Sequence, residues 1–226
     1  MDTNGHKSIL VQTMVSHLCL VVFIHGLELD LPSVVRFKDS RLAGWADIAP
    51  GGRKSIMGRM ELYLLRHGLA VVRGKRGFED DSARPLTARG RRQLRKTVPV
   101  VKRLAGKFDL ILSSPYLRAR QTAEIVAREL NLKKRLKFSN ALAPGGSPAV
   151  LLRQLGREKP APEKLLLVGH EPDLSRLISV LICGNQQLQL DFKKGGLCKL
   201  EAEKLCAGKC AKLAWLLTPR QMKSLA

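Results

Sequence analysis

Arg66-His67-Gly68 closes an apolar run that opens at Met60. A neutral imidazole is a nucleophile, and a guanidinium beside it offers a planar fork of donors that matches phosphoryl oxygens. Gly68 allows the backbone to approach a ligand closely or to turn through a positive φ. Taken alone, the triplet also reads as a basic turn after a strand. The same residue types recur, however. Arg118 follows Ser113-Ser114-Pro115, and His170 lies in Gly169-His170-Glu171-Pro172. A cation in the first turn of a helix opposes the helix dipole, and Arg118 makes sense there if an anion is shared with the helix N-terminus. One histidine after a strand is ordinarily structural. Two histidines and two arginines at the ends of successive strands point to chemistry on a phosphoryl group.

Those residues need strands to carry them. Leu62-Tyr63-Leu64-Leu65, Asp109 to Ser113 and Lys164 to Gly169 are short continuous apolar runs, as expected for strands buried on both faces of a parallel sheet. Open α/β sheets bind ligands at the carboxyl ends of such strands. Between them lie helical patterns. Thr87 is a good N-cap for a helix with Leu94, Val98, Val101 and Ala105 on one face, which Pro99 is expected to kink or end. Ser114-Pro115 starts a second helix, with Ala119, Ala123, Val126 and Leu130 on one face. A short strand near Leu136 to Phe138, a helix near Pro148 to Leu155 and another from Leu174 to Ile182 follow, with Pro172 suited to open the last. Leu197 to Leu205 and Ala211 to Leu217 read as a hairpin turned at Gly208. The fold class is therefore α/β: a three-layer α/β/α sandwich whose mainly parallel sheet ends in a C-terminal antiparallel hairpin.

Composition shifts at Met60. Residues 1–59 hold an apolar stretch from Ile9 to Leu31, interrupted by Gln12, His17 and His25, and then a region with no clear periodicity. They are expected to be a disordered extension or one not natively translated, with residues 60–226 forming the domain; a targeting or membrane segment is the alternative. A hydrophobic share of 45% supports a real core, and 4% aromatics make that core aliphatic. The formal charge of +21 suits anionic partners, but the basic residues are scattered and few aromatics could stack bases, so no specific nucleic-acid binding is expected. No membrane partner is expected either. Five cysteines (Cys19, Cys183, Cys198, Cys206 and Cys210) form no disulfide framework, which indicates a reducing, cytoplasmic location. Cys206 and Cys210 have a spacing that could hold part of a metal site, but no histidine lies near them, and neither metal nor cofactor is expected.

The order and spacing of these motifs resemble the histidine phosphatase superfamily, also called phosphoglycerate mutase-like, and within it the compact SixA-type phosphohistidine phosphatases. The resemblance spans residues 60–226. It rests on Arg66-His67-Gly68, Arg84-Pro85-Leu86-Thr87, the Ser113-Ser114-Pro115 segment with Arg118-Ala119 and Gln121-Thr122-Ala123-Glu124, Gly169-His170-Glu171-Pro172 and the ending Leu216-Leu217-Thr218-Pro219. It implies that His67 attacks phosphorus in line to form a phosphohistidine intermediate that water hydrolyses. The other ring nitrogen of His67 should then donate a hydrogen bond that fixes the tautomer. Arg66 and Arg118 would neutralise the phosphoryl oxygens, with protonated His170 as a further donor, and Arg84 would contact phosphate.

Many members of the superfamily also carry a carboxylic acid that protonates the leaving oxygen. The connections here are too short for a large cap domain. Glu171 could reach the site; Asp80 and Asp81 read more simply as solvated loop charges. The lack of a strong acid, with an open site, favours phosphohistidine on a phosphotransfer or signalling protein as substrate. A small phosphate ester is the alternative substrate, and a noncatalytic phosphate-binding module the alternative class. A monomer is expected.

Overall fold

The computed structural model describes residues 60–226, and the expectations for residues 1–59 lie outside the described residues. The first apolar run is β1 (Met60–Arg66), with β2 at Leu110–Ser113, β3 at Leu136–Phe138 and β4 at Lys164–Gly169. β5 (Leu197–Ala202) and β6 (Ala211–Leu217) complete one six-stranded sheet in the order β3-β2-β4-β1-β5-β6. β1 pairs parallel with β4, which pairs parallel with β2, as does β3; β5 runs antiparallel to β1, and β6 antiparallel to β5.

Alternation along the strands divides the core into two layers. Tyr63, Leu65, Ile111, Leu166, Val168 and Leu197 face α1 (Ala88–Ala105), α2 (Leu117–Glu129) and α5 (Pro219–Ser224). Leu62, Leu64, Leu112, Leu165, Leu167 and Cys198 face α3 (Pro148–Leu155) and α4 (Asp173–Cys183). The sheet is thus covered on both sides, and the α/β/α sandwich expected from the sequence is the fold observed. No helix among the described residues is long and apolar enough to cross a membrane.

Three local expectations need correction. Helix α1 continues through Pro99. An interior proline costs roughly 3 kcal/mol, but Leu94, Val98, Val101 and Ala105 are all buried on this helix. Each large apolar side chain so buried contributes about 1.5–3 kcal/mol, which outweighs that cost. Pro99 and Arg95 are both exposed, so the carbonyl that loses its amide partner can be hydrated. Helix α2 begins at Leu117, after Ser114-Pro115. The backbone of Ser114 still serves the sheet, its N–H donating to the Val168 carbonyl, while its Oγ accepts the Tyr116 N–H. The C-terminal hairpin is less tight than a turn at Gly208 would make it, because β5 ends at Ala202 and β6 starts at Ala211. Cys206 and Cys210 lie in the intervening loop, the Cys206 N–H donating to Cys210 Sγ at 3.2 Å.

Candidate active site

Strand register assembles the site. Arg66 is opposite Gly169 and Ser113 is opposite Val168, so the residues that follow these strands emerge side by side. The His67 N–H donates to the Gly169 carbonyl at 3.1 Å, which ties the first histidine to the strand carrying the second. The imidazoles of His67 and His170 face one another with ring centroids 5.1 Å apart.

His67 is almost fully buried, and its Nδ1 lies 2.8 Å from its neighbour's carbonyl at Gly68. A carbonyl only accepts, so Nδ1 carries the proton and Nε2 is left with a lone pair. That is the tautomer a nitrogen nucleophile requires. Burial pushes the His67 pKa down to about 3; the Gly68 carbonyl works against this, and the charges of Arg118, Arg66 and Lys194 add to it. Gly68 is confined by its surroundings: a Cβ there would lie 2.8 Å from Leu94 Cδ1. Its N–H donates to Thr122 Oγ1, whose own hydroxyl donates to the Arg118 carbonyl. Thr122 therefore couples the nucleophile's turn to helix α2, a role that the sequence pattern did not single out.

His170 is held by Ser114, whose Oγ is 2.9 Å from Nε2, and by the edge of the Tyr116 ring. Its Nδ1 is buried and has no hydrogen-bond partner. Burial, then the proximity of His67 and Arg118, lowers its pKa to about 3. Protein groups alone thus hold His170 neutral, contrary to the protonated form expected. Burial, with His67 and Arg118 close by, explains this, and a phosphoryl dianion among them would raise both imidazole pKa values by supplying the opposite charge.

The arginines are anchored from behind. Arg66 Nη1 donates to the Phe192 carbonyl, and the Gly195 N–H donates to the carbonyls of both Arg66 and His67. The segment around Gly195 and Gly196 is therefore stitched to the nucleophile's backbone, and it carries exposed Lys194 past the site. Arg118 is 3% exposed, and its Nη1 and Nη2 donate to the carbonyl and carboxylate of Asp81. The Nε atoms of Arg66 and Arg118 are buried without a partner, as is His170 Nδ1. Buried polar groups are nearly always hydrogen-bonded, and two unpaired guanidinium donors beyond the carboxyl ends of neighbouring strands are suited to an anion.

Asp81 is no solvated loop charge. Partial burial pushes its carboxyl up, but Arg73, Arg118 and Arg84 hold it down at about 2. Asp80 does match that simpler reading: it is exposed and caps the 3-10 turn at Asp81–Ala83 through Ser82. Arg84 lies beside Arg118, but its Nε and Nη2 are on Asp81 and its Nη1 is on the Val71 carbonyl. Its charge reaches the site, and these three bonds leave one N–H on each Nη. Glu171 is half-buried, accepts from Ser175 N and Oγ, and interacts with the charge of Arg66. Burial raises its carboxyl above the ordinary range against the pull of Ser175 and Arg66. Among the described residues no cluster of three or more histidine, cysteine, aspartate or glutamate side chains is arranged to hold a metal ion.

Known proteins resemble this chain in sequence and in fold. A model of the histidine phosphatase superfamily (branch 1) matches residues 62–142. An uncharacterised protein of Picosynechococcus sp. is 40% identical over 144 residues, covering 63% of this chain and 86% of the relative. Phosphohistidine phosphatase SixA of Escherichia coli is 31% identical over 128 residues, which is 55% of this chain and 76% of that protein. Among solved structures, a protein histidine phosphatase SixA complexed with tungstate superposes with a TM-score of 0.62 at 25% identity, covering 73% of this chain and all of that one.

Proposed function

Because this chain belongs to the histidine phosphatase superfamily, we propose that it is a phosphatase working through His67, with phosphohistidine on a protein as its substrate. The observation that carries the reading is the meeting of the His67 and His170 rings, centroids 5.1 Å apart, with two arginines whose buried Nε atoms have no partner. Nε2 attacks phosphorus, forming a P–N bond to His67 as the bond to the leaving group breaks. The leaving nitrogen or oxygen takes a proton, for which Glu171, its carboxyl raised by burial, is the available donor. Water then attacks the phosphohistidine, releasing inorganic phosphate and restoring His67. Arg66, Arg118 and His170 stabilise the charge on the equatorial oxygens throughout, the dominant form of catalysis in phosphoryl transfer.

The substrate preference has two supports. Both oxygens of Glu171, the acid at hand, already accept from Ser175, and a departing imidazole needs less help from an acid than a departing alkoxide. The described chain also carries no inserted domain over the site: α1 follows β1 after a connection holding only the Asp81–Ala83 turn and an Ala70–Leu86 bridge. A folded protein's phosphorylated side chain could therefore enter. The similarity to a phosphohistidine phosphatase of Escherichia coli agrees with this reading.

The test is turnover of a phosphohistidine-bearing phosphotransfer domain beside a panel of phosphate esters, with His67→Ala alongside. The domain should be the better substrate, and the variant should lose at least about 1000-fold in kcat. Esters turned over as well as the phosphohistidine would overturn the preference. Turnover that survives His67→Ala would overturn the mechanism.

A further inference from the structure

Helix α1 has an unusual charge pattern. Five basic residues fall between Arg89 and Lys96, and no acidic residue occurs anywhere in Ala88–Ala105. These cations sit toward the positive end of the helix dipole, and Arg91–Arg95 and Arg92–Lys96 are like-charge pairs one turn apart; both features oppose helix formation. Beside them a groove of about 380 Å³ runs over α2. Arg91 and Arg95 of α1, Arg128 of α2 and Lys133 line it, Arg128 being paired with Glu129 at 3.3 Å, and Leu136 supplies apolar surface. Glu124, the acid in this lining, is paired with Arg120 at 2.8 Å. Arg95 and Lys133 have no ion-pair partner among the described residues.

We propose that this groove docks an acidic polypeptide segment of the phosphoprotein substrate, an inference that rests on the protein substrate proposed above. Its position suits that role. Gln121, in the groove lining, accepts the Leu86 N–H through Oε1, and Arg91 Nη1 donates to the Leu86 carbonyl. A Cβ on Gly68 would lie 3.3 Å from Leu86 Cδ2, and Thr122, next to Gln121, binds the Gly68 N–H. A chain lying in the groove is therefore held against the elements that position the nucleophile. The lining favours polypeptide over nucleic acid. It offers no aromatic ring for bases to stack on, and its apolar surface suits aliphatic side chains between carboxylates.

The experiment uses the full chain with Arg95→Glu and Lys133→Glu combined, both residues being exposed. The control is Arg153→Glu with Arg157→Glu, an equal charge change at and just beyond α3, on the opposite face of the sheet. Binding of a fluorescein-labelled glutamate decapeptide is read by anisotropy, and KM is measured on the phosphohistidine domain and on phosphoramidate. The groove variant should weaken peptide binding and raise KM for the domain by about tenfold each, with phosphoramidate turnover unchanged and the control near wild type. Equal losses in the control, or none in the groove variant, would overturn the docking site. So would a single-stranded RNA that displaces the peptide at lower concentration and loses binding in the groove variant. If the wild type ignores the phosphohistidine domain, the substrate reading fails on its own, and the peptide measurement still decides the groove.

Discussion

Asp81 grips Arg118 twice: its backbone carbonyl accepts from Nη1 at 2.6 Å and its carboxylate from Nη2 at 2.9 Å. Those bonds use two of the five guanidinium N–H groups and leave Nε free to serve a phosphoryl oxygen. The carboxylate also binds Arg84 and Arg73, so one acid orders three cations. Asp81 is thereby a positioning residue for the site proposed above, acting through Arg118. Asp81→Ala should lower kcat about 10- to 100-fold with a smaller change in KM, and Asp81→Asn, which can still accept one bond, should recover part of the loss. Equal activity in both variants and the wild type would exclude this role.

Glu171 can be separated from the nucleophile by choice of leaving group. Glu171→Gln should slow hydrolysis of alkyl phosphate esters about 100-fold, while phosphoramidate and aryl esters with good leaving groups lose far less. Burial raises the Glu171 carboxyl, so the wild type should lose ester activity as pH rises through that raised value. A pH–rate series on both proteins checks this. The alkaline fall should vanish in the variant, and its persistence would assign the proton to another group.

Stability should depend on pH through both site histidines. Each has a folded pKa of about 3 against an ordinary value of 6.5, so the unfolded chain binds more protons between those limits. Stability is then greatest above about pH 6.5 and falls as pH drops toward 3. Asp81, held at about 2 against 3.8, extends the fall at the acid end with the same sign. Urea unfolding at pH 7 and pH 4.5 should show the loss, and it should shrink in His67→Asn and His170→Asn. A slope unchanged by both substitutions would contradict the burial of neutral imidazoles.

Gly90 sits in the first turn of α1, where alanine would ordinarily improve the helix by roughly 1 kcal/mol. Here a Cβ would lie 2.2 Å from the Leu69 backbone carbonyl oxygen, which itself accepts from Thr87 N and Oγ1. The helix cannot approach that carbonyl with a methyl group in the way. Gly90→Ala should therefore destabilise by about 1–3 kcal/mol, the usual cost of overpacking, with a lowered melting temperature as the readout. A stabilised variant would mean that helix propensity outweighs the packing.

Much of this molecule is legible along the chain because the signals are local. Leu62-Tyr63-Leu64-Leu65 and Leu165-Leu166-Leu167-Val168 are apolar without alternation, and a strand with both faces buried is the short element that such a run supports. Once those strands are parallel neighbours, Arg66, His67, Arg118 and His170 must emerge at one edge, so the four principal site residues could be named from type and spacing. Their supports could not. Arg118 meets Asp81 across 37 residues, Gly68 meets Thr122 across 54, His170 meets Ser114 across 56 and Arg66 meets the Phe192 carbonyl across 126. No periodicity links residues so far apart. Asp81 looked solvated because its own neighbours in the chain are polar; its three arginine partners are assembled only by folding. The state of the imidazoles is likewise a property of the fold: burial and neighbouring charge decide which nitrogen holds a proton, and both exist only when the sheet brings the strand ends together.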